Sequence, residues 1–160
     1  MIILGVDPGT ARTGYGVVQN SRGNSLECVT YNCITTPKEK GSGERLLILE
    51  KELLRVLNEY KPDAVVVELL YFFKNLKSVM PVSEARGVIL LAIAKKNLPV
   101  FELTPLQVKM AITGYGRADK KQMQRMVQQA LKLPQIPKPD DAADALGLAI
   151  AGMLLAKRGV

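Results

Sequence analysis

The order of elements along the chain predicts an α/β fold: a mixed five-stranded sheet, three antiparallel strands plus parallel ones, covered by helices. Three observations carry this. The first part of the chain alternates short apolar, β-branched runs with turn signals. Later apolar runs are separated by stretches with a helical period. The 160-residue length and 48% hydrophobic content suit one domain with a full core, taken as residues 1–158.

Each element follows from local chemistry. Ile2 to Asp7 reads as a buried strand that ends at the Pro8-Gly9 turn. Thr13 to Gln19 reads as a second strand, residues 20–24 as a turn, and residues 25–35 as a third strand, giving an antiparallel meander. Pro37 to Gly43 is a loop. From Glu44 to Tyr60, Leu46, Leu49, Leu53, Val56 and Leu57 mark one face of a helix, which Lys61-Pro62-Asp63 breaks. Ala64 to Val67 is an apolar strand that ends, like the first, on a carboxylate, Glu68. Residues 71–77 read as irregular and 79–95 as helix. Leu98 to Leu103 is the fifth strand. Pro105 opens a short helix that Gly114-Tyr115-Gly116 breaks, Asp119 to Leu131 forms the next, and Asp140 to Lys157 forms the last. Helical crossovers make the later strands parallel to the first.

Composition narrows the chemistry. The chain has no histidine, which removes the Ser-His-Asp and Cys-His arrangements and most zinc sites. Any catalysis must rest on carboxylates, lysines, hydroxyls or a bound metal. Cys28 and Cys33 stand five apart in one strand and alternate onto opposite faces, so neither a disulfide nor a metal pair is expected. Met1 leads straight into a strand with no basic leader, and the uncharged run Ala145 to Ala156 is too short to span a bilayer. A cytoplasmic location with no membrane partner is the simplest expectation.

The net charge of +7 is unevenly spread. Residues 37–60 balance, whereas residues 71–96 carry five basic side chains against one acid, and 109–128 carry Lys109, Arg117, Lys120, Lys121 and Arg125 against Asp119. Two such segments fit a polyanion such as nucleic acid, or a solvated basic surface. Tyr71-Phe72-Phe73-Lys74 holds three of the eight aromatics. One helix or strand face cannot bury all three, so at least one ring is expected at the surface, where it suits base stacking.

The carboxylates are the sharpest signal. Asp7 and Glu68 close strands expected to be parallel neighbours, so both fall at one sheet edge, where open α/β sheets place their sites. Asp7 alone serves equally as a turn cap or a metal ligand, and Glu68 alone as a salt-bridge acid. In the last helix Asp140 reads as an N-terminal cap. Asp141 and Asp144, three apart, share a helix face, and the intervening alanines let that face approach a sheet. Asp144 lies too deep for capping. Four converging acids repel one another unless a cation intervenes, and hard oxygen ligands suit Mg²⁺ or Mn²⁺.

The ordered set Ile3-Leu4-Gly5-Val6-Asp7-Pro8-Gly9-Thr10, Thr13-Gly14-Tyr15-Gly16, Val66-Val67-Glu68, Ala85-Arg86-Gly87, Leu98 to Glu102, Gln107-Val108-Lys109 and Asp141-Ala142-Ala143-Asp144 resembles the RuvC family of bacterial Holliday-junction resolvases, which have the ribonuclease H-like fold. The resemblance runs over nearly the whole chain. It implies a homodimeric, metal-dependent endonuclease that resolves four-way DNA junctions by paired nicks in recombination and repair, leaving 5′-phosphate and 3′-hydroxyl ends. It implies two Mg²⁺ per subunit, roughly 3.5–4 Å apart as in two-metal sites, with Mn²⁺ able to substitute. Asp7, Glu68, Asp141 and Asp144 fall at the family's acidic positions, and some relatives carry histidine where Asp141 stands. Lys109, Lys120 and Lys121 match positions near the DNA, and Tyr71 the aromatic after the strand-four acid. Phe72, Phe73, Lys74 and Arg86 complete the expected DNA-binding set, and the apolar face of the helix at about 79–95, around Arg86-Gly87-Val88, is the expected dimer interface. The RuvA–RuvB branch-migration complex is the implied partner. The alternatives are a ribonuclease H-like nuclease for other nucleic acids, and an actin-like ATP-binding domain, whose phosphate loop the Asp7 to Thr10 segment also resembles.

Overall fold

A computed structural model describes residues 1–21, 25–69 and 76–156, and the side chains of all of these but 76–78. Five strands, β1 (Ile2–Asp7), β2 (Arg12–Asn20), β3 (Leu26–Thr35), β4 (Ala64–Glu68) and β5 (Val100–Leu103), form one sheet in the order β3-β2-β1-β4-β5. β2 is antiparallel to both β1 and β3, whereas β1, β4 and β5 run parallel. This is the mixed sheet expected, with the ribonuclease H-like order.

The pleat sorts the core into two layers. Leu4, Val6, Val65 and Val67 face helices α1 (Ser42–Tyr60) and α2 (Leu76–Ala94). Ile3 and Val66, one residue out of phase, face α5 (Asp140–Ala156) together with α3 (Pro105–Thr113) and α4 (Lys120–Ala130). Asp7 and Glu68 continue the phase of Ile3 and Val66, so alternation turns both carboxylates toward the α5 layer.

Side-chain caps fix where α3 and α4 begin. Thr104 accepts from Gln107 N and Asp119 from Gln122 N, and in each case the glutamine side chain returns a bond to the capping residue's N–H. On α1 the predicted face is largely buried, with Leu49, Leu53, Val56 and Leu57 inside and Leu46 packed at its margin.

Three expectations differ in detail. α2 starts at Leu76 rather than 79 and continues through Pro81, which gives no N–H to the preceding turn. β5 starts at Val100, two residues late. Cys28 and Cys33 lie on the same face of β3, because the register shifts by one residue. Val17 pairs with Thr30 but Val18 pairs with Cys28, leaving Val29 as an extra, exposed residue. Cys28 therefore packs into the α5 layer, and Cys33 meets the backbone of Ala142 in α5. Both thiols are free.

α5 lies directly on the sheet. A methyl group on Gly5 would fall 2.0 Å from the Ala145 carbonyl oxygen and 2.6 Å from Ala149 N, and one on Gly14 would fall 2.0 Å from the Asp141 carbonyl oxygen. No side chain fits at either position. Gly5→Ala should thus cost about 3 kcal/mol through displacement of α5, read as a lowered urea midpoint. Gly43→Ala, where a methyl group meets nothing within 4 Å, should instead stabilise the protein by about 0.5–1 kcal/mol.

Candidate active site

The close approach of α5 determines which carboxylates meet. The helix crosses β2 at Gly14, β1 at Gly5, and then β4, where Gly152 rests on Val66. Its first turn is carried by the Pro139 carbonyl, which accepts from Ala142 N and Ala143 N. Asp141 consequently sits over β2, and Asp144, one turn on, faces the end of β1 and β4. Asp7 lies within reach of the charges of Glu68, Asp144 and Asp141, the other three acids that the sequence singles out.

The turn after β1 is pinned from three sides. Thr13 Oγ1 donates to Gly9 O at 2.8 Å, and Thr36 Oγ1 donates to Thr10 O at 2.7 Å. Arg45, near the start of α1, donates from Nη2 to Thr10 O at 2.8 Å and from Nε to Thr36 Oγ1 at 2.9 Å. Both threonines are buried. Asp7 accordingly projects from a rigid corner.

The site is electrostatically frustrated. Burial, with the charges of Glu68, Asp144 and Asp141 added, pushes Asp7 up to about 8. Glu68 is raised by burial and then by Asp144. Asp144 is raised by burial, against the pull of Lys120. Two cations offset part of this repulsion. Arg12 Nε lies 3.1 Å from Asp141 Oδ2, an ion pair without the geometry of a hydrogen bond. Lys120 Nζ lies 3.0 Å from Asp140 Oδ2 and 3.6 Å from Asp144 Oδ2. Among the described residues no group of three or more acids or cysteines is placed so that it could hold a metal ion as the side chains stand. The donor set still fits a hard divalent cation: oxygen only, partly buried, and self-repelling without one.

A cleft of about 200 Å³ opens beside the acids, between α3, α4 and α5. Glu68, Asp144, Lys109, Lys120 and Gln124 supply its polar wall, and Val108, Val127 and Leu148 its apolar floor. Lys109 and Lys120 thus share a space with the carboxylates. Lys121 is exposed on α4 outside this cleft. Arg86 stands on α2 and pairs with Glu102 of β5. Tyr71, Phe72, Phe73 and Lys74 lie outside the described residues. Asp140, expected as a helix cap, directs its carboxylate to Lys120 and to Gln124 Nε2, 3.1 Å away. Sequence reasoning missed Arg12 and Arg45. The antiparallel pairing of Asp7 with Gly14 was the available signal for Arg12, since it puts the start of β2 beside the end of β1.

A ribonuclease H-like sheet with carboxylates at the shared end of its adjacent parallel strands β1 and β4 defines a protein of the ribonuclease H-like nuclease class. Comparison with known proteins narrows that class. The family model for crossover junction endodeoxyribonuclease RuvC matches residues 3–152, and the chain belongs to this family. The crossover junction endodeoxyribonuclease RuvC of Thermosipho melanesiensis is 53% identical over 149 residues, covering 93% of this chain and 94% of the relative. That of Ruminiclostridium cellulolyticum is 52% identical over 150 residues, covering 94% and 90%. Among solved structures, Thermus thermophilus RuvC in complex with Holliday junction substrate matches with a TM-score of 0.94 at 31% identity, over 99% of this chain and 96% of that one. The yeast mitochondrial Holliday junction resolvase Ydc2, at 14% identity and a TM-score of 0.72, shares the fold. Family membership removes the actin-like ATP-binding alternative.

The raised acids make stability depend on pH. A folded-state value above the ordinary one means that the folded protein holds protons the unfolded chain has released. The stabilisation is complete below the ordinary carboxylate range and is lost as pH rises toward about 8 for Asp7. In chelator, stability should therefore fall from about pH 4 to about pH 8, by at most about 1.4 kcal/mol per pH unit for each group, read as a falling melting temperature. Asp7→Asn should flatten that fall, and Mg²⁺ should raise the melting temperature at the alkaline end only. A melting curve equally steep in Asp7→Asn would show that Asp7 titrates normally.

Proposed function

We propose that this chain resolves four-way DNA junctions by symmetric paired nicks, using Asp7, Glu68, Asp141 and Asp144 as metal-holding catalytic acids. The observation that carries the reading is a buried Asp7 on which the charges of Glu68, Asp144 and Asp141 all act, in a chain of the RuvC family. The Thermus thermophilus relative in complex with a Holliday junction substrate supports the choice of DNA.

A nuclease of this family uses a divalent metal. The finer proposal is two Mg²⁺ per subunit, with Mn²⁺ able to substitute. Asp7, Glu68, Asp141 and Asp144 would hold the ions, which would supply an activated water and charge stabilisation at the leaving 3′ oxygen, so that the product would carry a 5′-phosphate. The rest falls to the chain's own residues. Thr13, Thr36 and Arg45 hold the corner that presents Asp7. Lys109 and Lys120 line the cleft beside Glu68 and Asp144 and attract the phosphate backbone. Arg12 and Lys121 extend the positive potential on either side. Arg86, committed to Glu102, belongs to the DNA surface only if the junction reaches the β5 edge.

A two-fold dimer would supply the two equivalent sites that paired nicking requires. Met80 and Leu91, exposed apolar side chains of α2, support placing its interface there. One nuclease domain over residues 1–158, action in the cytoplasm, and cooperation with a RuvA–RuvB branch-migration complex complete the proposal. No helix among the described residues is long and apolar enough to cross a membrane.

Cleavage of a synthetic four-way junction beside linear duplex, with Mg²⁺ and with chelator, tests the reading. Wild type should cut the junction selectively and only with metal. Asp7→Asn, Glu68→Gln and Asp144→Asn should each abolish cutting while junction binding survives, because binding rests on lysines and arginines. Cutting that persists in these variants would remove them from the catalytic set.

The aromatic segment yields a separate expectation. At a crossover the bases unstack more easily than in duplex, and a ring can replace the lost partner for roughly 1–3 kcal/mol. Tyr71→Ala should slow junction cleavage strongly with the melting temperature unchanged, and Tyr71→Phe should be nearly silent. A large drop in melting temperature with cleavage intact would assign Tyr71 to the core and pass the stacking role to Phe72 or Phe73.

A further inference from the structure

Asp140 is the acid that the metal reading leaves without a task. It opens α5, it is exposed, and the first-turn N–H groups of Ala142 and Ala143 go to the Pro139 carbonyl instead. Its carboxylate reaches across to α4: Oδ2 lies 3.0 Å from Lys120 Nζ, and Oδ1 accepts from Gln124 Nε2 at 3.1 Å. Lys120 and Gln124 are four apart on α4, so both point to the same side of that helix. The pair of bonds holds the start of α5 to the first turns of α4.

The same ammonium also lies 3.6 Å from Asp144 Oδ2. Lys120 is therefore divided between two carboxylates one helical turn apart. One of them, Asp144, faces the acid cluster, and the other, Asp140, stands outside it. A divalent cation held by Asp144 would repel a lysine at that distance. With Asp140 present, Lys120 needs only a small shift to stay fully paired and at the edge of the cleft. Without Asp140, its available acidic partner is Asp144 itself.

We propose that Asp140 is a positioning residue for Lys120, a second seat that draws the ammonium off Asp144 when the metal site fills and keeps it at the cleft's edge. Lys120 and the metal thus compete for Asp144, and Asp140 biases that competition toward the metal. The inference rests on the proposed metal role of Asp144.

Mn²⁺ binding to the DNA-free full-length protein, followed by titration calorimetry and by loss of the free-ion electron paramagnetic resonance signal, tests this without any turnover. Asp140→Asn, in which an amide keeps an acceptor for Gln124, should weaken Mn²⁺ binding about three-fold, as fits an exposed ion pair. Lys120→Met should tighten binding relative to wild type. In the Lys120→Met background, Asp140→Asn should have no further effect, because its influence runs through the lysine. Asp140→Glu should restore wild-type binding. An equal loss in both backgrounds would mean that Asp140 acts only as a distant charge, and no loss in either would mean that Lys120 never occupies Asp144; both overturn the proposal. A wild-type protein whose Mn²⁺ binding is unaffected by Asp144→Asn would overturn the underlying metal reading instead. Circular dichroism melting of each variant keeps misfolding separate from these outcomes.

Discussion

The backbone of α5 rests almost on the backbone of β1 and β2, and most of the site follows from that contact. With Gly5 and Gly14 beneath it and Ala142, Ala145 and Ala149 along its underside, no side chain separates helix from sheet there. Two alternating signals then meet in one place. The strand period of two puts Asp7 and Glu68 on the face that α5 covers, and the helical period puts Asp141 and Asp144 one turn apart on the side that looks back at them. A bulkier residue at Gly5 would lift the helix and separate acids belonging to three different segments. The raising of Asp7 to about 8, by burial first and then by the charges of Glu68, Asp144 and Asp141, follows from the same packing.

Much of this was legible because it depends on periodicity. Five strands, the parallel pairing of β1 with β4, and the alanine-lined face of α5 all follow from spacing. What stayed hidden depends on interactions that spacing does not encode. The β3 bulge at Val29 inverts the facing of every residue before it, so simple alternation sends Cys28 to the wrong side. Arg45 lies 35 residues from the Thr10 carbonyl that it holds, and nothing local marks an exposed-looking helix arginine as the prop of a distant turn. Asp140 carries every sequence mark of a cap, yet a proline carbonyl does that work, which frees the carboxylate for Lys120. Cap, bulge and long-range prop each involve a choice between partners that only the folded chain presents.

The cations complete the electrostatic design. Arg12 meets the acids on the β2 side through Asp141, and Lys120 and Lys109 border them on the α3–α4 side. The centre is negative and its flanks are positive. A DNA strand crossing this surface has its outer phosphates attracted and the phosphate over the acids repelled. The protein's own cations offset that central charge only in part: they sit at the rim, and Asp7 at the middle stays raised in their presence, held up first by burial and then by its acidic neighbours. On the proposed reading, a divalent cation entering between the carboxylates would displace the proton that Asp7 holds and make the centre positive, without weakening the flanks. Binding and cutting would then be separable: the rim cations would supply the first, and the acids at the centre the second once a metal neutralises them.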